Sequence, residues 1–343
     1  MQILLHSGLQ MSELIFLEGM NDMAARALAL KTGAIGLLHK SINGGKGLLH
    51  KTIFVPKAAP YIMMLPFLIT FLVFFLYPLI SSVHMSTLRF YGFVDSEFVG
   101  LDNFRALNNA RFLQSIRVSL RYTFWTIAIL MPLPLLLAVL LNSKLIKGAT
   151  FFKSAYFIPQ LTSVIVAGMF FRFSFSNTDT ALINTIIGFF GFEPVQWLWQ
   201  SSTAMATMVL FCVWRWFGVN LIYYTSALSA ISPELYEAAS IDGANAVSRF
   251  LYVTLPSVKP TIIFVTVISV FGGMSMFAES FVLYGAARTP GDLATTMVGY
   301  IFSQAFTENR LGLAAAAGLT LLVLMMVINI IVLFATGSLK KGD

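Results

Sequence analysis

Few residues in this 343-residue chain could do chemistry, and the spacing of most of them rules it out. Gly36-Leu37-Leu38-His39-Lys40-Ser41 ends in the Lys-Ser pair of a phosphate loop. His39, however, stands where a second glycine must let backbone amides wrap the phosphates. The four histidines, His6, His39, His50 and His84, have no metal-ligand spacing. The single cysteine, Cys212, lies in an apolar run, so neither a disulfide framework nor a cysteine metal site is available. No Ser/His/Asp set points to hydrolysis. The chain is therefore not expected to be an enzyme or to hold a cofactor itself. Any energy source must be a partner protein or an ion gradient.

The remaining candidates are charges inside apolar stretches: Arg121, Arg172, Arg215 and Glu279. Ionisable groups at membrane depth are costly and line a cavity or pair with one another. Arg121 and Arg172 fall near span ends, where they can snorkel to an interface. Arg215 lies between Trp214 and Trp216, and Glu279 is followed by Ser280. An aromatic face beside charged and hydroxyl groups can hold a polar solute by its apolar and its polar sides. Arg215, Trp216, Glu279 and Ser280 could thus form a weak, oriented substrate path. The alternative is an Arg215–Glu279 ion pair that only holds helices together.

The elements that carry them follow from composition. The chain is 57% hydrophobic and 11% charged, against roughly a quarter charged in soluble domains. Stretches near the roughly 20 residues needed to cross a bilayer occur at 61–83, 118–141, 155–173, 203–228, 261–284 and 313–334. The third carries Pro159 and Gln160 near its start, which neighbouring helices can tolerate. Six spans put both termini on one side, and the fold class is an all-α integral membrane protein. A net charge of +7 then reads as basic cytoplasmic loops rather than nucleic-acid binding. Lys40, Lys46, Lys51 and Lys57 precede the first span, Lys144, Lys147 and Lys153 follow the second, and Lys340 and Lys341 end the chain. Residues 178–202 contain no Lys or Arg. Both termini and the segment 229–260 are expected in the cytoplasm. Two regions result: an N-terminal cytoplasmic extension, 1–56, and a transmembrane region, 57–343. The extension lacks the early basic region of a signal peptide. Its two Gly-Leu-Leu-His-Lys copies, at 36–40 and 47–51, fit either an amphipathic surface helix or a poorly ordered leader.

Between the fourth and fifth stretches lies a charged, helix-competent segment. Ser232 is an N-cap type, and Pro233 suits the first helical position. Glu234 and Glu237 fall where the helix dipole favours negative charge. Ala238 and Ala239 keep the surface low, and Gly243 can stop the helix in a left-handed conformation. A second short helix is expected over 247–253, with Leu255-Pro256 turning the chain back to the membrane. From pattern alone this is equally an amphipathic connector.

Glu237-Ala238-Ala239, Ile241-Asp242-Gly243-Ala244 and Thr254-Leu255-Pro256 resemble the "EAA" loop of binding-protein-dependent ABC importer permeases. The resemblance covers most of the chain from about Tyr61. It includes Leu65-Pro66 through Tyr77-Pro78, Val99-Gly100-Leu101-Asp102-Asn103-Phe104, Phe157-Ile158-Pro159, Trp197-Leu198, Trp214, Tyr300-Ile301, Ala305-Phe306 and Leu311-Gly312-Leu313-Ala314-Ala315-Ala316. These features are similar to the carbohydrate-uptake branch, and to the larger of its usual pair of permease subunits. The chain departs from the family at Arg288-Thr289-Pro290, where Gly-Gly-Pro is frequent, which weakens substrate inference from that region.

The resemblance implies a type I importer permease fold in a bacterial inner membrane. It implies a coupling helix, with Glu234, Glu237, Ala238, Ala239, Asp242 and Gly243, docking on a dimer of separate ABC ATPase subunits that hold ATP and Mg. It further implies a second permease subunit, an extracytoplasmic solute-binding protein, and a sugar or oligosaccharide cargo. Arg215, Trp216, Glu279 and Ser280 fall at cavity-facing family positions. An ion-coupled secondary transporter is the competing reading; it requires buried carboxylates and repeated halves, and Glu279 is the only acid well inside a span.

Overall fold

The computed structural model describes residues 59–91, 95–143 and 146–337. The expected extension 1–56 lies outside them, as do Lys144, Lys340 and Lys341. Two compact units are distinguishable, Met1–Pro78 and Leu79–Asp343.

Among the described residues, five helices are long and apolar enough to cross a membrane: Pro60–Ser86, Ala110–Asn142, Ser201–Ser229, Ala246–Tyr284 and Leu311–Ala335. The shortest has 25 residues, enough at 1.5 Å per residue to pass ~30 Å of hydrocarbon. A sixth, the third in order, consists of Ala149–Leu161 and Val164–Ser174, bent by 91°. The expected straight stretch 155–173 is thus broken at Thr162-Ser163, just beyond Pro159-Gln160. Thr162 is already extended, at φ −74° and ψ 137°.

Prolines explain several of the other irregularities. Pro134 has no N–H to give to the carbonyl of Leu130 four residues back. The side-chain amide of buried Asn220 supplies that bond instead, at 3.1 Å. Two π-helical segments, Leu72–Leu76 and Phe250–Thr254, each end two residues before a proline, Pro78 and Pro256. In each the following amide bonds five residues back, Tyr77 to Leu72 and Leu255 to Phe250. This wider turn relieves the clash of a proline ring with the preceding turn. It also corrects the expected layout of the loop. No separate helix 247–253 forms, and Leu255-Pro256 is not a turn. Ala246–Arg249, the π segment and Leu255–Met274 run on as one span. That span is interrupted at Ser275–Phe277 before a short helix, Ala278–Tyr284, which carries Glu279 and Ser280.

Three buried clusters hold the second unit together. Tyr122, Phe171, Met208 and Phe211 join the second, third and fourth spans. Val270, Met274, Tyr300 and Ala317 join the fifth and sixth. Leu135, Leu221, Tyr224 and Val258 join the second, fourth and fifth. Backbones approach closely where glycine permits it: a Cβ at Gly218 would overlap the carbonyl of Tyr156, and one at Gly312 that of Leu88. A short hairpin, β1 (Leu88–Tyr91) against β2 (Asp95–Phe98), is antiparallel with Leu88 opposite Phe98.

Candidate functional site

The loop after the fourth span forms the helix Pro233–Ile241. Ser232 occupies the cap position in an extended conformation, but its hydroxyl makes no cap hydrogen bond. Pro233 and the first-turn Glu234 therefore start the helix without it. The far end closes as a Schellman motif. Gly243, at φ +77°, donates to the carbonyl of Ser240 at 3.2 Å, and Ala244 to that of Ala239 at 2.9 Å. Asn245 then caps the next helix, its Oδ1 accepting from the amide of Ser248 at 2.8 Å.

Glu234, Glu237, Ala238, Asp242 and Gly243 are exposed, and Ala239 is half-buried. Around them stand exposed apolar side chains, among them Ile241 (87%), Val247 (66%) and Tyr252 (80%). Among the described residues none of the three carboxylates has an ion-pair partner within 4.0 Å. Such a surface, acidic and apolar over small residues, suits another protein rather than water. It is also anchored. The Tyr236 hydroxyl shares a hydrogen bond with Thr254 Oγ1 at 3.0 Å, and Arg249 Nη1 donates to Ser240 Oγ at 3.2 Å. The helix is thus tied to the start of the fifth span.

The four expected path residues are not equally placed. Arg215 is half-buried in the fourth span, with its Nε buried and lacking an acceptor. Trp216 is partly exposed, while Trp214 packs on Phe171 with ring centres 5.6 Å apart. Glu279 is half-buried, and Arg215–Glu279 is not among the ion pairs of the described residues. Ser280 is buried and donates to the carbonyl of Ala294 at 2.9 Å, so it fixes the helix Ala278–Tyr284 to the following turn.

Tyr122 was not singled out by the sequence, although a signal existed: Ser115, Ser119, Tyr122, Thr123 and Thr126 recur at helical spacing and are all buried. The hydroxyls of Ser115, Thr123 and Thr126 bond carbonyls of their own helix, whereas Ser119 Oγ accepts from the amide of Met297 at 3.0 Å.

Cavities also lie elsewhere among the described residues. One of about 1010 Å³ separates the second and fourth spans, lined by Arg121, Trp125, Ser201, Met205, Val209 and Val213. A second, of about 630 Å³, is lined by Arg111, Phe281, Arg288, Phe302, Thr307 and Glu308. Its wall is an ionic cluster: Arg111 Nη1 lies 2.9 Å from Glu308 Oε1, Arg111 Nε 3.5 Å from Asp292 Oδ2, and Arg288 Nε 3.5 Å from Asp292 Oδ1. Burial tends to raise the Glu308 pKa, but the Arg111 hydrogen bond and charge, helped by Arg310, hold it below the usual carboxylate range. Where the family often has Gly-Gly-Pro, Thr289 is buried and shares a hydrogen bond with Thr295 at 3.0 Å.

Residues 189–341 match the family described as binding-protein-dependent transport system inner membrane component. The chain is 48% identical over 284 residues to the "Arabinooligosaccharides transport system permease protein AraP" of Bacillus subtilis (strain 168), covering 83% of this chain and 90% of the relative. The protein of the same name from Halalkalibacterium halodurans is 45% identical over 289 residues, covering 84% and 90%. A solved chain from a "bacterial alginate ABC transporter in complex with alginate pentasaccharide-bound periplasmic protein" superposes with a TM-score of 0.73 at 25% identity, covering 86% of this chain and 99% of that one. The long apolar spans, the exposed capped helix between the fourth and fifth, and these likenesses agree: the chain belongs to the binding-protein-dependent inner membrane components and is a multi-pass permease subunit of an ABC importer.

Proposed function

We propose that this permease carries a neutral oligosaccharide, of the arabinose type named for its relatives, into a bacterial cytoplasm. An extracytoplasmic solute-binding protein delivers the cargo, and a second permease subunit completes the path. Both termini and the loop 229–260 face the cytoplasm, the side favoured by Lys147 and Lys153. A dimer of separate ATPase subunits holds ATP and Mg and grips the helix Pro233–Ile241. Glu237 meets a basic group there, and Ala238 and Ala239 allow close approach.

The observation that carries this reading is the anchored helix itself. The hydrogen bond from Tyr236 to Thr254 lets a push on the loop enter the fifth span directly. From Thr254 to Met274 that span extends ~30 Å at 1.5 Å per residue, and beyond it stands Glu279. Movement at the loop thus reaches the helix that bears one of the path charges. Arg215, Trp216 and Glu279 then provide donors, a ring face and an acceptor for a sugar in transit, whereas Ser280 supports them from behind.

The test is Glu237→Lys in the assembled complex, with uptake measured in membrane vesicles. Loss of ATP-driven uptake of arabino-oligosaccharide, with the protein still inserted, is expected. Normal uptake in that variant sinks the coupling role. Uptake that persists without ATP and stops when the ion gradient collapses sinks the importer reading.

A further inference from the structure

The pocket of about 630 Å³ has four features that no part of the path described above uses. It has an aromatic floor. Phe281 and Phe302 line it, with ring centres 6.0 Å apart, and Phe302 is flanked outside the lining by Phe277 at 5.1 Å and Phe306 at 4.9 Å. It has a polar wall, from Arg111, Arg288, Thr307 and Glu308. The guanidinium of Arg111 is held by Glu308 at Nη1 and by Asp292 at 3.5 Å from Nε, which leaves Nη2 buried without an acceptor. Finally, the site is strained. Asp292 and Asn309, both at φ +54°, are the non-glycine residues with positive φ among the described residues, and both flank this cluster. Backbone strain of that kind persists where the surroundings over-determine it, and it gathers at binding sites.

The pocket is separate from the mid-span path. Phe277 precedes the helix Ala278–Tyr284 and packs on Phe281 at 5.2 Å, while Glu279, two positions before Phe281, lies on the opposite face of that helix. The charges also balance, since Arg111 and Arg288 face Asp292 and Glu308. A balanced rim with a ring floor does not select an anion. It suits a neutral ring that has one apolar face and several hydroxyls.

We propose that this pocket is an outer saccharide subsite. Phe302 and Phe281 hold the C–H face of one sugar ring, and Arg111, Thr307 and Glu308 bind its hydroxyls. This rests on the sugar-importer reading and its orientation, which puts the segment 285–310 on the extracytoplasmic side. The subsite engages the trailing units of an oligosaccharide whose leading unit has reached the path, so it sets a preference for chain length.

The test uses the complete complex in proteoliposomes with linear arabinose oligomers from the disaccharide to the hexasaccharide. Phe302→Leu removes the ring but keeps an apolar side chain, and Thr307→Val removes a hydroxyl at an exposed position. Each is expected to raise the KM for the pentamer and hexamer by about tenfold, with the disaccharide changed by less than twofold. If wild type takes up the oligomers and both variants keep every KM within twofold, the subsite is overturned and the sugar reading stands. Equal weakening at all lengths also overturns it. If wild type takes up none of them, the sugar reading itself fails. A uronic-acid oligomer that competes better than the neutral one of equal length overturns the neutral class. Should Phe302→Leu fail to insert, Thr307→Val alone decides.

Discussion

The hydroxyl of Tyr236 lies 3.0 Å from that of Thr254, bridging the exposed helix Pro233–Ile241 and the π-helical segment that opens the fifth span. That segment is the weakest-wound part of the span, because its bonds run five residues back to pass Pro256. The bridge therefore stiffens a joint that would otherwise bend under load. Tyr236→Phe removes this hydrogen bond, and Thr254→Val removes it together with the 3.4 Å bond to the Arg249 carbonyl, at about 0.5–1.5 kcal/mol per bond, without touching the exposed face of the helix. The ATPase subunits should still bind. Sugar moved per ATP hydrolysed should fall severalfold, as measured in proteoliposomes by paired uptake and phosphate release. An unchanged ratio in both variants discards the joint.

Glu308 and Arg111 bind the segment after the fifth span to the start of the second. The folded-state pKa of Glu308 is held below its ordinary value by that contact. A depressed carboxylate pKa contributes stability that is present above the unfolded value, about 4.3, and lost as pH falls through the folded one. Wild type should thus have a higher Tm than Glu308→Gln at pH 7, and the gap should close below about pH 4. A gap independent of pH assigns the residue a packing role instead.

Much of this arrangement is legible in the residues. Long apolar runs give the spans because a bilayer demands them. Glu237-Ala238-Ala239 with Gly243 gives the capped helix because only glycine takes φ +77° without strain. What is not legible depends on neighbours. Pro159 reads as a proline the span tolerates, yet the chain bends by 91° just beyond it, between Leu161 and Val164. Pro256 reads as a turn, yet a π segment absorbs it. Ser280 reads as a path hydroxyl because its partner, the Ala294 carbonyl, is brought in by a turn 14 residues on. The pair Arg111–Glu308 is separated by 197 residues, beyond the reach of any local pattern.

Two glycines separate strain from collision. Gly243 has nothing within 4 Å of where a Cβ would stand, so Gly243→Ala meets only the left-handed backbone penalty, roughly 1–2 kcal/mol. Gly218 instead faces the backbone of Tyr156 and Phe157, which cannot rotate away. Gly218→Ala must push the third and fourth spans apart. The expectation is a complex with slightly lower Tm for Gly243→Ala and no folded permease for Gly218→Ala, read by size-exclusion chromatography in detergent. A monodisperse, thermally normal Gly218→Ala protein contradicts the close approach of these spans.

Arg215 and Glu279 test whether the charges inside the spans serve transport or packing. A structural ion pair is broken by removing either partner, which leaves an uncompensated buried charge at a cost of about 3–5 kcal/mol. Removing both then restores much of the loss. Here the two are not an ion pair within 4.0 Å, and each keeps partial exposure. Arg215→Gln and Glu279→Gln should therefore each leave Tm within a few degrees, and their effects on Tm should add in the double variant. Uptake is the property expected to fall, by tenfold or more for each, since a sugar hydroxyl loses a charge-assisted partner. Recovery of both Tm and uptake in the double variant identifies a structural pair and removes these residues from the path.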